Sequence, residues 1–466
     1  MSLRFRNTLT GHNDALEPLE PGHVRMYTCG PTVYAPAHIG NFRSFIFADL
    51  VRRTLLFSGL RVTWVMNSTD VDDKIIRDAA KAGVGIDELT SKYSAMFVAD
   101  MARLGIARPD VMPRATEHIE DMVGIIQTLI RKGHAYQTDD GSVFFSISSW
   151  PGYGRLARLD PARQRLGERV EADEYDKDDV RDFALWKAAK PGEPSWASVL
   201  GEGRPGWHIE CSAMSMRYLG PSFDIHTGGI DLVFPHHEDE IAQSEAATGL
   251  PFVHTWLHCA HLHMAGEKMA KRSGNFARPV DIFASGVSPR VLRYALMATH
   301  YRSPLDFSQR SLASAAAAVE RLDTALATLD AYTEDGVDDA SLPALLAGAR
   351  SRFSAALADD LNISAALAAT FDLVRELNGR VAARGLSSAD ARRAAAALRE
   401  LDAVLGVMDE GHVELEAELA GMLAVRAAAR AARDWARSDE LRDALAAAGV
   451  TVEDTPDGQR WRRSGA

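Results

Sequence analysis

Cysteine is scarce in this sequence, and long apolar runs are missing altogether. Three cysteines, Cys29, Cys211 and Cys259, are spread over 466 residues. So sparse and odd a set argues against a disulfide framework and points to a reducing cytoplasm. No stretch reaches the roughly 20 apolar residues that span a bilayer, and the N-terminus carries no secretory pattern, so no membrane association is expected. A GxxxxGK[ST] loop is absent, which excludes a Walker-type phosphate site. Positive charge is in deficit: 52 Lys and Arg face 64 Asp and Glu, a net charge of −12. That excludes a general nucleic-acid coat, while leaving room for a partner that docks on a local basic surface. The rest of the composition, 46% hydrophobic and 25% charged, is that of a soluble globular chain.

The stretch Met26-Tyr-Thr-Cys-Gly-Pro-Thr-Val-Tyr-Ala-Pro-Ala-His-Ile-Gly-Asn41 organises the rest. Val24 to Cys29 predicts a buried strand stopped by Gly30-Pro31. From Asn41 to Phe57 a helix is predicted, because Phe42, Phe45, Ile46, Leu50, Val51 and Leu55 recur at helical spacing before Gly59. Arg61 to Met66 predicts a second strand. Strand–helix–strand favours a parallel sheet, with ligands bound beyond the carboxyl ends of the strands. Cys29 and Thr69 fall at such ends. His38 to Asn41 falls at a helix N-terminus, where free N–H groups and the helix dipole favour phosphate. Chance alone supplies about one His-x-Gly in a chain with 15 His and 35 Gly, so the weight lies in the combination.

Residues 84–104 and 115–132 predict amphipathic helices. Ser142 to Ile147 predicts a strand, and 153–181 is polar and highly charged. The sheet is expected to resume around Gly206–Met214 and Phe223–Asp231. Beyond Asp306, the spans 311–333, 345–358, 363–384 and 388–407 are helical by propensity and period. Residues 411–443 extend the helices, and 449–463 predicts a strand–turn–strand. The fold class is therefore α/β, a Rossmann-like nucleotide-binding domain with an insertion, then an α-helical bundle and a small end. The expected divisions are 1–133 with 207–255 for the catalytic domain, 134–206 for the insertion, 256–310 for a lysine loop and stem-contact region, 311–408 for the bundle and 409–466 for the end.

Two further clusters carry chemistry. Pro235-His-His-Glu-Asp-Glu240 opens with proline, suited to a first helical position, and places His236 and Glu240 on one helix face, with His237 and Asp239 pointing elsewhere. With Cys29 and Cys211, both expected in the sheet region, the donor set is S, S, N, O, which zinc accepts. Cys259 is expected to be a packed thiol. Gly266-Glu-Lys-Met-Ala-Lys-Arg-Ser-Gly-Asn275 sets Lys268 and Lys271 three apart between glycines. Such a loop can fold over a triphosphate and stabilise charge as pyrophosphate leaves. Alone it is more often a solvated basic loop; beside a His-x-Gly helix mouth the functional reading prevails.

These residues resemble the cysteinyl-tRNA synthetases, members of the class I synthetases. His38-Ile-Gly-Asn41 is similar to the HIGH signature and Lys268-Met-Ala-Lys-Arg272 to KMSKS. Tyr27–Tyr34, Asn67–Lys74, Trp207–Met214, Phe234–Glu240, His300–Pro304, Trp435 and Glu453–Trp461 extend the likeness over nearly the whole chain. The resemblance implies one zinc on Cys29, Cys211, His236 and Glu240 that binds the substrate thiolate. It implies a cysteine pocket lined by Thr69 and Trp207, and ATP, with Mg2+, at His38, Gly40, Asn41, Gly228, Gly229, Asp231 and Lys271. Partners are then ATP, L-cysteine and tRNA(Cys), and the chain a monomer. Asn41 departs from the second signature histidine, and Ala270 and Arg272 from the two serines; the lysines are intact. Arg426, Arg430, Arg433 and Arg437 fall on one stripe of a helix, and Arg460, Trp461 and Arg462 combine stacking with charge, which makes them the tRNA candidates. A cysteine ligase of mycothiol biosynthesis shares the core but lacks the tail. A zinc hydrolase using Glu238 or Asp239 leaves the lysine loop unexplained.

Overall fold

A computed structural model describes residues 2–158, 182–264, 267–268, 277–408, 417–448, 450–455 and 458–463. Four parallel strands form the central sheet, in the order Val253–Cys259, Phe223–Gly229, His23–Thr28, Arg61–Met66. From His23–Thr28 the next strand is added on one side and from Phe223–Gly229 on the other, so the order of strand addition reverses between these two parallel neighbours. That switch point opens a crevice at the carboxyl ends. Both faces of the sheet are covered, and Val24, Met26, Tyr27, Trp64, Val65 and Met66 are all buried, as expected of a parallel sheet.

The helix Ile39–Phe57 crosses one face. His38 caps it through Nδ1, which accepts the Asn41 N–H at 3.1 Å, while the Asn41 carbonyl oxygen of the side chain accepts the His38 N–H at 3.1 Å. Phe42, Ile46, Val51 and Leu55 are fully buried, each contributing about 1.5–3 kcal/mol by removal from water. The core on this side runs on into the bundle. The other side is covered by Ile119–Arg131, Trp207–Leu219 and Glu238–Thr248.

Two elements differ from expectation. Trp207–Leu219 is a helix, not a resumption of the sheet. It is buried nearly all round, from Ile209 through Ser215, so no clean period marks it. Its Glu, Ala, Met and Leu content, with one β-branched residue, favours helix over strand. Asp73–Ala82 is a further helix, capped by Asp72 on the Lys74 N–H and ended by Gly83 in the left-handed region.

The insertion is an antiparallel sheet of Ala135–Gln137, Val143–Phe145, Phe183–Ala188 and Gly203–Pro205; most of the charged stretch, 159–181, lies outside the described residues. The bundle helices are Gln309–Asp330, Leu342–Ala358, Ile363–Ala382 and Ser388–Leu405. Two more helices, Ala417–Ala431 and Trp435–Ala447, pack with the hairpin Val450–Thr455/Gly458–Arg463 around a separate small core of Leu419, Leu423, Leu445, Val450 and Val452.

A buried joint ties the helix Ile39–Phe57 to the bundle. Arg293 donates to the Asp49 carboxylate at 2.6 Å and to the carbonyls of Leu104, Gly105 and Leu405 at 3.2, 3.0 and 2.7 Å. Arg53 adds bonds to Asp49 and to the carbonyls of Gly105 and Ala403. Among the described residues, no helix is long and apolar enough to cross a membrane.

Candidate active site and metal centre

At the carboxyl end of His23–Thr28 the chain turns through Cys29. Its Sγ lies 3.5 Å from Cys211 Sγ and 3.5 Å from Glu240 Oε1. His236 Nε2 lies 3.1 Å from the same Glu240 oxygen. All four side chains are buried, and their donor atoms lie within 4.8 Å of one another. A tetrahedron with zinc–sulfur bonds of about 2.3 Å and zinc–nitrogen or –oxygen bonds of about 2.0–2.2 Å has edges of roughly 3.3–3.8 Å. The spacing and the donor chemistry therefore fit a zinc ion.

The elements that bring these donors together depart from the sequence reading in two respects. Cys211 stands on the helix Trp207–Leu219. Pro235 follows a cis peptide, a wide turn occupies Val233–His237, and the α-helix proper begins at Glu238. His236 and Glu240 still meet across the junction.

His237 does not point elsewhere. Its Nε2 lies 3.4 Å from Cys29 Sγ, and its Nδ1 lies 2.8 Å from His258 Nε2. His226, from the middle of Phe223–Gly229, reaches Glu240 Oε2 at 3.1 Å. Cys29, His226, His237 and Glu240 thus form a second set of possible ligands. The two sets differ behind the donors. His236 Nδ1 is 2.9 Å from His208 Nδ1, whereas His226 Nδ1 is buried without a partner. A ligating histidine almost always gives its other ring N–H to a partner, which favours the set with Cys211 and His236. Sequence reasoning missed His208, His226, His237 and His258. The signal was there in His226, a histidine placed inside an otherwise buried strand.

Charge in the pocket is strongly perturbed. Burial opposes ionisation of Cys211, but hydrogen bonds from Cys29 and His236 bring it down to about 6. Burial likewise opposes a charged His236, yet Cys211 and Glu240 raise it to about 10. Glu240, despite burial, is held down to about 2 by His226 and His236. Burial pushes Cys29 well up, and pushes His208 and His237 well down. A thiolate, a carboxylate and the neutral imidazole of His237 meet there beside a His236 that carries a proton, and a bound cation would take the place of that proton.

The candidate amino-acid pocket borders this centre. Trp207, 37% exposed, has its ring centroid 4.3 Å from that of His236. Thr69 is buried and donates to Glu210 Oε2 at 2.9 Å, while Asn67 donates to Thr69 at 3.2 Å and accepts from the Gly30 N–H. Gly228 must be glycine at this approach, since a Cβ there would meet His237 Cε1 at 2.7 Å. Gly229 leads to Asp231, which is exposed, with Oδ1 3.9 Å from His261 Nδ1.

The helix mouth is less open than expected. The Ile39 N–H donates to the Ala277 carbonyl at 2.9 Å, and the Asn41 N–H is held by His38. Ala277 lies two residues beyond the lysine loop. At the other end of that loop, the Lys268 backbone pairs with His263. Lys271, Ala270 and Arg272 lie outside the described residues, as does the side chain of Lys268. Cys259 is a buried thiol outside both ligand sets, as expected.

The arginine stripe does not exist as one helix face. The helix ends at Ala431, and Arg433 adopts a left-handed φ of 60° before Trp435–Ala447 begins. Arg426 is fully buried, bonded to both Asp454 oxygens at 2.9 and 3.0 Å and to Gln459 at 2.8 Å. It is a structural cation and not an accessible phosphate contact. Arg430 pairs with Asp454 at 3.0 Å and lies over the Trp435 ring. Trp435 and Trp461 are 54% and 39% exposed; the side chains of Arg460 and Arg462 lie outside the described residues.

Comparison with known families gives three matches in tandem: the tRNA synthetases class I (C) catalytic domain over residues 15–317, the DALR domain over 352–409, and the cysteinyl-tRNA ligase anticodon binding domain over 412–462. A cysteine–tRNA ligase of Alkalilimnicola ehrlichii is 47% identical over 99% of this chain and all of its own length. Another from Symbiobacterium thermophilum is 46% identical over the whole of both. Among solved structures, Mycobacterium tuberculosis methionyl-tRNA synthetase in complex with methionyl-adenylate superposes with a TM-score of 0.60 at 16% identity, covering 83% of this chain and 90% of that one. At that identity the likeness establishes the fold.

Proposed function

The chain belongs to the cysteine–tRNA ligase family of the class I aminoacyl-tRNA synthetases, and from that premise we propose that it activates L-cysteine with Mg-ATP and transfers it to the 3′ end of tRNA(Cys), selecting the substrate by its thiol at a zinc ion. The observation that carries the zinc assignment is the convergence of Cys29, Cys211, His236 and Glu240 within 4.8 Å, with His236 backed by His208.

The cysteine carboxylate attacks the α-phosphorus of ATP in line. The bond to the bridging oxygen breaks, and pyrophosphate leaves as cysteinyl-adenylate forms. A ribose hydroxyl of the terminal adenosine then attacks the activated carbonyl and releases AMP. His38 and the turn at Gly40–Asn41 flank the triphosphate, with Lys268 and Lys271 closing over it, so that the chain acts by positioning and charge stabilisation. Gly228, Gly229 and Asp231 line the adenosine side. Thr69 and Trp207 hold the amino acid against the metal ligands. When bound, zinc supplies a Lewis acid that takes a thiolate readily, a serine hydroxyl poorly and an alanine methyl not at all. A mismatch of that kind rejects competitors by several powers of ten, which makes a separate editing site unnecessary. The segment 256–310 meets the acceptor stem and 409–466 reads the anticodon, with the monomer in the cytoplasm as the working form.

The test is cysteine-dependent ATP–pyrophosphate exchange on purified protein, with serine as the control and zinc quantified in the same sample. Exchange with cysteine alone and about one zinc per chain, as a single four-donor site requires, is the expected result. Exchange that is equally good with serine, or undiminished once zinc is stripped, would sink the metal-selection reading.

A further inference from the structure

We propose that the inserted segment Tyr153–Ala157 orients the metal ligand His236 through a chain of polar contacts from Tyr153 to Asp239 to His208, which makes Tyr153 a positioning residue of the metal centre. The inference rests on the metal assignment above and extends it into a domain to which no role has yet been given.

Two hydrogen bonds and one ion-pair approach make the chain. The Tyr153 hydroxyl lies 2.5 Å from Asp239 Oδ1. Asp239 Oδ2 lies 3.3 Å from His208 Nε2. His208 Nδ1 lies 2.9 Å from His236 Nδ1, and His236 Nε2 faces Glu240. The order of donors follows from the ligand end. A metal on His236 Nε2 requires the lone pair there, so the ring proton sits on Nδ1 and donates to His208 Nδ1. His208 then carries its proton on Nε2, facing the Asp239 carboxylate as an electrostatic contact, and Tyr153 donates to Asp239 Oδ1. With that assignment every proton in the chain points at an electron pair.

The segment is also clamped where the relay needs it. The N–H groups of Gly154, Leu156 and Ala157 surround the buried Glu238 carboxylate at 2.8, 2.9 and 2.9 Å. Arg155 pairs with Glu245, five residues beyond Glu240 on the same helix. Tyr153 packs edge-on against Phe234, at the turn that delivers His236. Three independent anchors therefore fix the insertion to the element that carries two of the four ligands.

Tyr153→Phe removes the hydroxyl and keeps the ring. Zinc affinity, read by competition with a chromogenic chelator, should fall about three- to tenfold. That is below the 10–100-fold typical of a ligand's direct partner, because Tyr153 stands two bonds further out. The visible absorption of the cobalt-substituted protein should shift in the same variant, reporting a changed ligand field. Arg155→Ala releases one of the three anchors but leaves the atoms of the relay in place, so both readouts should move clearly less than in Tyr153→Phe. Wild-type zinc affinity and cobalt absorption in Tyr153→Phe would overturn the proposal. Equal losses in the two variants would overturn it too, by assigning the effect to packing of the segment. A wild-type chain that holds no zinc would fail the metal assignment itself, and the relay with it.

Discussion

Arg426 and Glu240 are both charged and fully buried, but their surroundings differ. Around Arg426 the opposite charge is supplied from within the chain, by Asp454 in a two-point contact, and Gln459 takes a further N–H. Around Glu240 the chain supplies more electron-pair donors, among them two cysteine sulfurs and the imidazoles of His226, His236 and His237. Donors in such excess call for a cation from outside, whereas a balanced cluster calls for nothing. The difference separates a binding centre from a structural joint on physical grounds alone.

Breaking the excess should have the largest effect. Cys211→Ser should cost zinc and cut cysteine-dependent pyrophosphate exchange by at least about a thousandfold, since it removes a soft ligand and the selectivity that depends on it. If the variant kept both zinc and its preference for cysteine over serine, the pocket would not need its full donor set. Breaking the balance at the other cluster should cost less and act differently. Arg426→Ala should destabilise the C-terminal unit by about 2 kcal/mol in denaturant unfolding, because Asp454 is part-exposed and can rehydrate. It should leave pyrophosphate exchange untouched. A loss of tRNA affinity with no loss of stability would return Arg426 to the interface.

The exposed aromatic pair sharpens the contrast. Trp461→Ala should weaken tRNA binding by about 1–3 kcal/mol if a base stacks there, with the melting curve unchanged. The smallest effect concerns acid. Arg426 holds the Asp454 carboxyl below its ordinary value of 3.8. Its contribution to stability is therefore complete above pH 3.8 and is lost as the pH falls below it. Arg426→Ala should shrink that acid-induced step in the C-terminal unit, the remainder being held by Arg430.

The bundle was readable from sequence nearly to the residue, since alanine-rich helices with recurring leucine leave little competition from strand. Trp207–Leu219 was not, because a helix buried on all sides shows no polar face. His237 escaped for a different reason. It stands three residues before Glu240 and shares its face even in a regular helix, but the i, i+4 partner His236 alone was paired with Glu240. In the tail, no glycine or proline marks the helix end at Ala431. The break is made by Arg433 in a left-handed conformation that arginine seldom adopts, so a spacing rule carried on past the point where it applied. The four residues of the candidate metal centre were legible because their chemistry, S, S, N and O, is rare enough to survive such errors of geometry.

The joint at Arg293 has a bearing on how freely this sequence can drift. Three of its four acceptors, at Leu104, Gly105 and Leu405, are main-chain carbonyls, and any residue offers the same oxygen. Substitutions at Leu104 and Leu405 would thus leave these bonds intact so long as the backbone holds its path, while Arg293 and Asp49 carry the chemical identity of the contact between them. A connection that spans the helix Ile39–Phe57 and the bundle therefore constrains few letters of the sequence, and the surfaces it joins can diverge without parting.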